Sequence, residues 1–530
     1  MALRMHKTGL MVLSSPVNVL TNHLPSLVSK AADLVRDTLY VHLVSSDFDN
    51  PPFSHPRATH SQSVVLPTKN VQDFIFGFYS KAASSAVNLD VRFLLQNIAV
   101  NRSVVGPQKL HKPYSIVILE NENQTDNLKQ YVKYLFPVEE DPAYSSFSCE
   151  NKQEQSANEV PFKVYNNSVI GGTFDRIHGG HKIFLSRACL LSESRLTIGV
   201  TQGDMNSRKT LTELIAPVTH RIEALKELLS DIKPEVFYNA VPIIDPFGPS
   251  IVEPDLECII VSEETFKGGE AVNKKRKEKG LCELEIEVVP LVEDSHRSPE
   301  EENKISSSSM RKRTLGTLLR EPAERPDLPS QPYIIGLTGG TASGKSSICK
   351  RLEGLGAKVV DCDKLGHQAY VKGTAVLDQI VKTFGDVLTP DGEIDRRALG
   401  AKVFSSKEEL QKLNAIVWPA IANLAKKQIE DYKSQGARVI VLDAAVLLDA
   451  GWQNMTHEIW VAFVPKDEAV QRLMARNKLS EEEARKRVLA QTSNEDKISQ
   501  ANVVLSTLWE PEVTQKQVEK AWDLLLARIS

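Results

Sequence analysis

Two segments of the sequence combine glycines with cationic or imidazole side chains directly before a helical pattern. In the first, Gly339-Gly340-Thr341-Ala342-Ser343-Gly344-Lys345-Ser346 has the spacing G-x-x-x-x-G-K-[ST] and follows a strand-like run, Tyr333 to Leu337. Backbone N–H groups in such a loop hold the phosphates of ATP, and Lys345 is placed to neutralise the β and γ charges. The hydroxyl of Ser346 is then the expected ligand of Mg²⁺. This segment predicts a binding site for ATP and magnesium.

The second segment is Gly172-Thr173-Phe174-Asp175-Arg176-Ile177-His178-Gly179-Gly180-His181-Lys182, which precedes the apolar-periodic run Ile183 to Leu191. Glycines let the backbone approach a phosphate closely. A helix that starts near Gly180 directs its free N–H groups to the same point. The two histidines can donate hydrogen bonds to phosphoryl oxygens or stabilise developing charge. A capping or packing role is the alternative for such a pair.

A serine-rich stretch far downstream, Ile305-Ser306-Ser307-Ser308-Ser309-Met310-Arg311, places hydroxyl groups ahead of a cation at another expected helix start. These groups suit a polyphosphate, although the stretch taken alone is better explained as an N-terminal cap. Together the two segments resemble the nucleotidyltransferase superfamily, whose members share T/H-x-G-H early in the domain and I-S-S-x-x-x-R at its end.

A third run makes the resemblance more specific. Ser262-Glu263-Glu264-Thr265-Phe266-Lys267-Gly268-Gly269, followed by Asn273 and Arg276, is similar to the eukaryotic phosphopantetheine adenylyltransferases. That resemblance implies that the phosphate of 4′-phosphopantetheine attacks the α-phosphorus of ATP, which releases pyrophosphate and forms dephospho-CoA without a covalent enzyme intermediate. The resemblance assigns His178 and His181 to the ATP phosphates and the transition state, and Lys209 to the attacking phosphate. It assigns Gly172, Thr173 and Phe174 to ATP, and Ser307, Ser308 and Arg311 to the departing pyrophosphate. Thr265, Lys267 and Gly268 are assigned to the substrate.

Two of these basic residues have ordinary alternatives. Lys209 lies in a polar run and is otherwise an exposed loop lysine. Arg221 is a further phosphate candidate, and its alternative is a surface charge at the start of the predicted helix His220 to Leu229.

Beyond the P-loop, Val359-Val360-Asp361-Cys362-Asp363 resembles the D-x-D element of dephospho-CoA kinases, in which a carboxylate lies near the acceptor ribose. Asp363 is therefore the candidate base for the 3′-hydroxyl, with an N-terminal cap as the alternative. The runs 392–400 and 443–448 also resemble this family, which implies that Arg396 or Arg397 holds the substrate phosphate. Arginines that suggest a lid over ATP are Arg472, Arg476, Arg485 and Arg487.

The sequence departs from the kinase pattern at three positions. Val446 stands where the family usually has a proline, Trp418 where it has a histidine, and Asp449 where it often has a longer acid. The acceptor-side contacts are therefore less well defined than the ATP contacts.

The elements that must position these side chains are strands that alternate with helices. This alternation predicts right-handed crossovers and parallel sheets, in which ligands bind at the carboxyl ends of the strands. The expected fold class is α/β, with two consecutive parallel-sheet nucleotide-binding domains, the first Rossmann-like and the second a P-loop kinase, after an N-terminal mixed α/β region. The predicted strands are Ser168 to Gly172, Leu196 to Val200, Val236 to Pro242, Cys258 to Ser262, Glu285 to Val289, Tyr333 to Leu337, Lys358 to Asp361, Arg438 to Leu442, Ile459 to Val464 and Val503 to Leu505. The expected domains are residues 1–155, 160–320 and 333–530, with polar joints at Ser45 to Ser63, Asp141 to Glu159, Glu293 to Lys304 and Arg320 to Pro332.

Composition limits the function classes. The 530 residues carry a net charge of −4, which gives no global reason to bind nucleic acid or an acidic membrane. The six cysteines form no C-x-x-C pair, so neither a disulfide framework nor a zinc ribbon is expected. No apolar run is long enough to span a membrane. The basic run 274–279 precedes several glutamates and is interpreted as the solvated face of a helix.

The N-terminal segment has two interpretations. Arg4, Lys7 and Lys30 precede the first acidic residue, and apolar side chains recur at helical spacing from Leu24 to Val35. This pattern is typical of an organelle-targeting or membrane-surface segment, but also of a first strand and core helix. The second interpretation is favoured because a strand-like run follows directly.

The order of the two catalytic halves links them, because the first would make dephospho-CoA and the second would consume it. The chain therefore resembles the bifunctional coenzyme A synthases of animals. That resemblance implies 4′-phosphopantetheine, dephospho-CoA and ATP as substrates, no nucleic-acid partner, and a location in the cytoplasm and the mitochondrion, either in the matrix or on the outer membrane. Peripheral membrane contact through the N-terminus is a further expectation, and protein partners are not predicted. The alternative from another class is a scaffold in which one catalytic half only binds nucleotide.

Overall fold

The protein is described here by a computed structural model covering residues 5–44, 65–100, 106–120, 125–149, 160–298, 301–403 and 406–529. The predicted joint Ser45 to Ser63 lies outside these residues. The chain divides into two compact units, Met1–Met310 and Arg311–Ser530. The first unit contains two five-stranded sheets and the second contains one.

The first sheet is parallel throughout, with strand order β3-β2-β1-β4-β5. Its elements are β1 (His6–Leu13), α1 (Val17–Asn22), α2 (Leu24–Leu34), β2 (Val35–Leu43), α3 (Lys69–Ser85), β3 (Asp90–Leu94), β4 (Ile116–Glu120), α4 (Thr125–Leu135) and β5 (Ala143–Phe147). Successive side chains of β1 enter different cores, since Met11 and Leu13 belong to one apolar cluster and Leu10 and Val12 to another. Both faces of this strand are therefore covered, as expected for a parallel sheet.

Two features of this region bear on the sequence analysis. The N-terminal segment forms a central strand and a core helix, because Leu27, Val28, Ala31 and Leu34 of α2 are buried. The assignment of Asp141 to Glu159 to a joint is wrong for β5. That edge strand reads Ala-Tyr-Ser-Ser-Phe, in which apolar and polar residues neither alternate nor form a continuous run, and it has no β-branched residue.

The second sheet has the order β10-β9-β6-β7-β8 and is also parallel. Its elements are β6 (Tyr165–Gly172), α5 (Gly179–Leu191), β7 (Ser192–Thr201), α6 (Val218–Ile232), β8 (Phe237–Ile243), β9 (Cys258–Ser262), α7 (Phe266–Glu278), β10 (Glu285–Val289) and α8 (Ser307–Thr314). All five predicted strands are present, and β9 and β10 agree with their predicted bounds.

The interpretation of residues 274–279 as a solvated helical face is wrong at Arg276. This residue of α7 has no exposed surface, and its guanidinium donates to the carbonyl oxygens of Ser250, Glu253 and Cys282. The carbonyls of Ser250 and Glu253 belong to a segment well before α7 and that of Cys282 follows the helix, so the helical pattern alone gives no sign of them. Arg276 therefore has a structural role, despite its place in the run that carries the family resemblance.

The third sheet is parallel, with order β12-β13-β11-β14-β15. Its elements are β11 (Tyr333–Gly339), α9 (Lys345–Gly354), β12 (Lys358–Asp361), α10 (Cys362–Gln368), α11 (Ala375–Phe384), α12 (Arg396–Val403), α13 (Lys407–Ser434), β13 (Val439–Asp443), β14 (Glu458–Phe463), α14 (Lys466–Asn477), α15 (Glu481–Leu489), α16 (Asn494–Gln500), β15 (Val503–Ser506) and α17 (Pro511–Ile529). Each predicted strand is again present. Among the helices in the described ranges, none is both long and apolar enough to cross a bilayer.

Two candidate active sites

The first candidate site begins with the turn that joins β6 to α5. Phe174 and Arg176 adopt φ values of +48° and +50°, a left-handed conformation that costs a residue with a side chain about 1–2 kcal/mol. Phe174 is nevertheless buried, and its ring lies 5.6 Å from that of His181. Packing against the histidine thus helps to hold the strained turn in place.

Arg221 fixes the same turn from the opposite side. It is 4% exposed, and its guanidinium donates to the carbonyl oxygens of Thr173, Thr201 and Ala216 at 2.5, 2.8 and 2.8 Å. The surface-charge interpretation is therefore wrong, and the guanidinium donates to backbone carbonyls. Arg221 ties together the ends of β6 and β7, and the side chain of Asn206 also donates to the Thr201 carbonyl.

The histidine pair caps α5 and also leaves nitrogen atoms unused. His178 is the N-cap residue, and its Nδ1 accepts a hydrogen bond from the backbone N–H of His181 at 3.4 Å. Its proton therefore resides on Nε2. This atom and Nδ1 of His181 are buried, and no group in the described part of the chain makes a hydrogen bond to either. His178 therefore does cap α5, but Nε2 of His178 and Nδ1 of His181 remain available to a ligand.

Burial also sets the charge of these rings. It lowers the pKa of His178 well below its usual value, and the positive charges of His181 and Lys182 act in the same direction. Burial lowers the pKa of His181 to about 4, against the opposing effect of Asp175, and the positive charge of Lys209 lowers it further. Both imidazoles are neutral at pH 7.

The serine-rich segment meets the histidine turn, as the superfamily resemblance implies. Ser307 Oγ donates to the carbonyl oxygen of Asp175 at 2.9 Å. A side chain on Gly180 would stand 3.5 Å from the carbonyl oxygen of Ile305. Ser308 follows in the first turn of α8, and Arg311, further along that helix, is 1% exposed.

The predicted substrate residues at the start of α7 are exposed and make no observed contact with the histidines. Thr265 closes a capping box with Ser262, Lys267 is exposed, and the space beside Gly268 is open. The structure therefore brings together Gly172–Phe174, the two histidines and Ser307, and the charge of Lys209 acts on His181. Residues 265–268 follow β9, the strand next to β6, so they begin at the same edge of the sheet.

The second candidate site is a cavity of about 810 Å³ at the P-loop. Gly344 has φ +81°, and a side chain there would lie 2.6 Å from Thr507, so glycine is required for both conformation and space. The residues that line the cavity are Gly339, Gly340, Thr341, Ala342, Ser343, Gly344, Lys345, Ser346, Asp363, Ala445, Arg472, Ala475, Arg476 and Gln491.

Lys345 joins two carboxylates in this cavity. Its ammonium group forms an ion pair with Asp443, at the end of β13, and lies 3.6 Å from the carboxylate of Asp363. Burial alone would lower the pKa of Lys345, but the two negative charges outweigh burial and raise it. Lys345 is therefore a fixed positive charge where phosphates are expected.

The cap of α10 is Asp361 rather than Asp363. Asp361 Oδ1 accepts from the backbone N–H of Lys364 at 3.0 Å, whereas the side chain of Asp363 is 63% exposed toward the cavity. The alternative role for Asp363 is thereby removed, and its carboxylate is available to a substrate hydroxyl.

The predicted lid arginines separate into two groups. Arg472 donates to the carbonyl oxygen of Ala342 at 3.4 Å and to both oxygens of Thr507 at 2.6 and 2.7 Å, and Arg476 lines the cavity. Arg485 instead pairs with Glu481 and Asp467, and Arg487 is exposed.

The acceptor-side arginines do not reach this cavity. Arg396 and Arg397 open α12, and no hydrogen bond or ion pair within the described ranges joins them to the loop. At the departures from the family pattern, Trp418 and Val446 pack against the core, and Asp449 accepts from Thr492 Oγ1 at 2.8 Å.

Two contacts with the P-loop were not predicted from the sequence. Thr507 Oγ1 donates to the carbonyl oxygen of Ser343 at 3.0 Å, and Gln491 Oε1 accepts from the backbone N–H of Thr341 at 2.8 Å. Thr507 follows β15, so the rule that sites lie at carboxyl ends of strands could have found it. Gln491 lies in a loop after α15, where no local pattern marks it.

Protein-family models match three successive parts of the chain. These are the COASY N-terminal domain at residues 7–155, the cytidylyltransferase-like family at residues 169–313, and dephospho-CoA kinase at residues 333–508. The second range contains the histidine pair and the third contains the P-loop.

Individual proteins are similar to the third part. The dephospho-CoA kinase of Geobacter sulfurreducens is 42% identical over 190 residues, which are 36% of this chain and 96% of that protein. The dephospho-CoA kinase of Carboxydothermus hydrogenoformans is 40% identical over 186 residues, which are 35% of this chain and 90% of that protein. Among solved structures, a dephospho-CoA kinase from Campylobacter jejuni has 24% identity and a TM-score of 0.30, with 37% of this chain and 98% of that chain covered.

Proposed function

Because the chain belongs to the dephospho-CoA kinase family through residues 333–508, we propose that its two sites catalyse consecutive steps of coenzyme A synthesis. Residues 160–320 transfer the adenylyl group of ATP to 4′-phosphopantetheine, and residues 333–530 phosphorylate the resulting dephospho-CoA. The observation that carries this proposal is the joining, in one chain, of a cytidylyltransferase-like domain with a kinase of that family.

In the first step, a phosphate oxygen of 4′-phosphopantetheine forms a bond to the α-phosphorus of ATP, and the bond from that phosphorus to the bridging oxygen breaks. Pyrophosphate leaves, and no enzyme group is modified. The neutral rings of His178 and His181 donate hydrogen bonds to phosphoryl oxygens as charge develops on them. Lys209 holds the attacking phosphate, and Ser307, Ser308 and Arg311 hold the pyrophosphate.

In the second step, the ribose 3′-hydroxyl of dephospho-CoA attacks the γ-phosphorus of a second ATP and releases ADP. The carboxylate of Asp363 orients the hydroxyl and accepts its proton. Lys345 neutralises the β and γ phosphates, and Arg472 and Arg476 close over them. Because this transition state needs little covalent help, positioned charges supply most of the rate gain.

Magnesium fits the second site. The hydroxyl of Ser346, which lines the cavity, is an oxygen ligand of the kind that Mg²⁺ prefers. In the described residues, no group of three or more His, Cys, Asp or Glu side chains could hold a metal, so most ligands would be phosphates and water. When bound, the ion would offset the charge of the β and γ phosphates.

Location in the cytoplasm and the mitochondrion, with peripheral membrane contact, is part of the proposal and is supported by the family resemblance. The apolar stripe of α2 packs in the core, so membrane contact would have to use other residues. Fractionation of cells that carry the tagged chain, with protease protection of the mitochondria, tests this part.

The test of the proposed function is incubation of the purified chain with 4′-phosphopantetheine, ATP and Mg²⁺, with all products resolved by mass over time. Pyrophosphate, ADP and CoA are expected together, with a transient of dephospho-CoA. Dephospho-CoA without CoA would refute the kinase assignment. CoA formed only from added dephospho-CoA would refute the adenylyltransferase assignment.

A further inference from the structure

The first two sheets share one strand order. Counted from the first strand of each sheet, both run 3-2-1-4-5, with β1 and β6 in the centre and every pairing parallel. The turn after β1 therefore occupies the same place in its sheet as the histidine turn after β6. In such sheets this is where a phosphate binds.

In the first sheet that place is filled from within the domain. The carboxylate of Glu120, at the end of β4, accepts hydrogen bonds from the backbone N–H groups of Ser14 and Ser15 at 2.9 and 2.8 Å. The hydroxyl of Ser15 donates to the same carboxylate. An internal anion thus satisfies the donors that a phosphate would use, and the turn has no histidine. The N-terminal domain does not repeat the chemistry of its neighbour.

Its contacts instead converge on α5, the helix that begins at the histidines. The two domains share one apolar core, to which Phe78 and Phe93 of the first and Ile183 and Leu185 of the second all belong. Tyr79 Oη accepts from the backbone N–H of Phe93 at 3.1 Å and from Ser186 Oγ at 3.3 Å.

The start of α5 is held even more closely. A side chain on Gly179 would stand 3.3 Å from Cβ of Ala83 and 3.9 Å from the carbonyl oxygen of Tyr79, both on α3. Lys182, next to His181, is 8% exposed, and its ammonium group lies 2.5 Å from the carboxylate of Asp90 at the start of β3. The backbone N–H of Lys182 donates to the carbonyl oxygen of His178 at 3.0 Å.

We propose that Asp90 is a positioning residue for adenylyl transfer, through which the N-terminal domain fixes the first turn of α5 and hence the two histidines. Lys182 is buried and needs a partner, because an ammonium group taken out of water without one is costly. Asp90 supplies that partner from the other domain, where its carboxylate also pairs with Arg92 and Lys112. Without it, Lys182 turns toward water and takes the first turn of α5 with it. This inference rests on the proposed adenylyl transfer, which is therefore measured first.

The experiment uses the full chain and compares Asp90→Asn with Asp90→Glu and with Asp37→Asn. Asp37 is an exposed carboxylate of the same sheet that pairs only with its neighbour Arg36 among the contacts observed, so it is a matched control. Pyrophosphate release from ATP and 4′-phosphopantetheine gives kcat and KM. ADP formation with added dephospho-CoA gives the kinase rate of the same molecules.

Asp90→Asn is expected to lower kcat for adenylyl transfer about tenfold, with KM for ATP within about twofold, since a small misplacement of catalytic groups slows chemistry more than binding. Asp90→Glu should recover part of the loss, and Asp37→Asn should resemble the wild type. The kinase rate should not change in any variant.

If Asp90→Asn fails to fold, Ala83→Leu tests whether the N-terminal domain fixes the first turn of α5. Ala83 is half-buried on α3, and a side chain on Gly179 would stand 3.3 Å from its Cβ atom. Ala83→Leu should lower kcat and leave KM unchanged. A folded Asp90→Asn with kcat within twofold of the wild type, or with a higher KM alone, overturns the proposal. If the wild-type chain makes dephospho-CoA, the proposed function stands whatever the Asp90 variants show. If the wild-type chain makes none, both the proposed function and the role of Asp90 are overturned.

Discussion

The imidazole rings of His178 and His181 lie face to face, with centroids 3.9 Å apart and 25° between their planes. Two protonated rings at this separation would repel each other, so the arrangement requires at least one neutral ring. Burial lowers the pKa of both. The pair is therefore a neutral hydrogen-bonding device rather than a cationic clamp.

This charge state can be observed directly. With histidine labelled at Cε1, the resonance of His181, identified by its loss in His181→Gln, should stay constant from pH 8 to 5.5 and move only toward pH 4. A free histidine titrates near pH 6.5. A midpoint for His181 between pH 6 and 7 would contradict the neutral pair.

Removal of His181 should affect one reaction only. In His181→Gln, adenylyl transfer is expected to fall about 100- to 1000-fold, the effect of losing one positioned donor to a transition-state oxygen. Phosphorylation of added dephospho-CoA should be unchanged. Pyrophosphate release and ADP formation, measured on one preparation, test this. An equal loss of both rates would indicate misfolding instead of lost chemistry.

The converse holds for Lys345. In Lys345→Met, the kinase rate should fall about 100-fold or more, because the buried ammonium group that neutralises the phosphates is lost. Adenylyl transfer should continue, so dephospho-CoA accumulates in the complete reaction. Mass-resolved products over time check this prediction, and continued CoA formation at the wild-type rate would refute the role of Lys345.

Asp361 and Asp363 allow a controlled comparison on one helix. Asp363→Asn should lower kcat of the kinase about 100-fold or more and leave KM for ATP within about twofold, because the proton acceptor is lost. Asp361→Asn keeps an oxygen that can cap α10 and should retain nearly full activity. Steady-state kinetics with added dephospho-CoA measure both. Equal losses in the two variants would show that neither carboxylate acts on the substrate.

Buried His42 should make the first unit less stable in acid. Burial lowers its pKa to about 3, and its Nε2 lies 2.9 Å from Tyr131 Oη. The folded pKa is below the unfolded value of about 6.5, so this stability is present above pH 6.5 and is lost as the pH falls toward 3. Between pH 7 and 5 the loss is about 2 kcal/mol.

His42→Phe should remove this share of the pH dependence, since phenylalanine has no proton to bind. Hydrogen exchange of peptides from β1 and β2, at pH 7 and 5, gives the opening free energies. Peptides from β11 in the second unit are the control. A variant whose pH dependence equals that of the wild type would show that His42 does not titrate with unfolding.

Much of this molecule follows from local sequence pattern. All ten predicted strands are present, and central strands such as β11 and β13 are apolar runs covered on both faces. The spacing of its residues identifies the P-loop. Its glycines allow a backbone conformation and a close approach that residues with a side chain do not allow. The family resemblance implied that the serine-rich segment and the histidine turn act on the same ATP, but the bond from Ser307 to the carbonyl of Asp175 was not predicted.

What the sequence did not predict depends on partners distant in the chain. Arg221 and Arg276 look like surface charges on helices, and only the assembled fold brings carbonyl groups to them. The edge strand β5 lacks the alternation of apolar and polar residues that usually marks a strand. The contact of Asp90 with Lys182 crosses two domains, and neither residue belongs to a motif.

The bond from the backbone N–H of Thr341 to Gln491 gives the P-loop a built-in competitor for its ligand. A phosphate that binds this N–H group must first displace the amide oxygen of Gln491. The free energy gained at the N–H group is then only the difference between its bond to a charged phosphate oxygen and its bond to a neutral amide oxygen. The exchange removes one of the hydrogen bonds that hold the segment after α15, which keeps those from Thr492 to Asp449 and from Asn494 to the carbonyl oxygen of Val464.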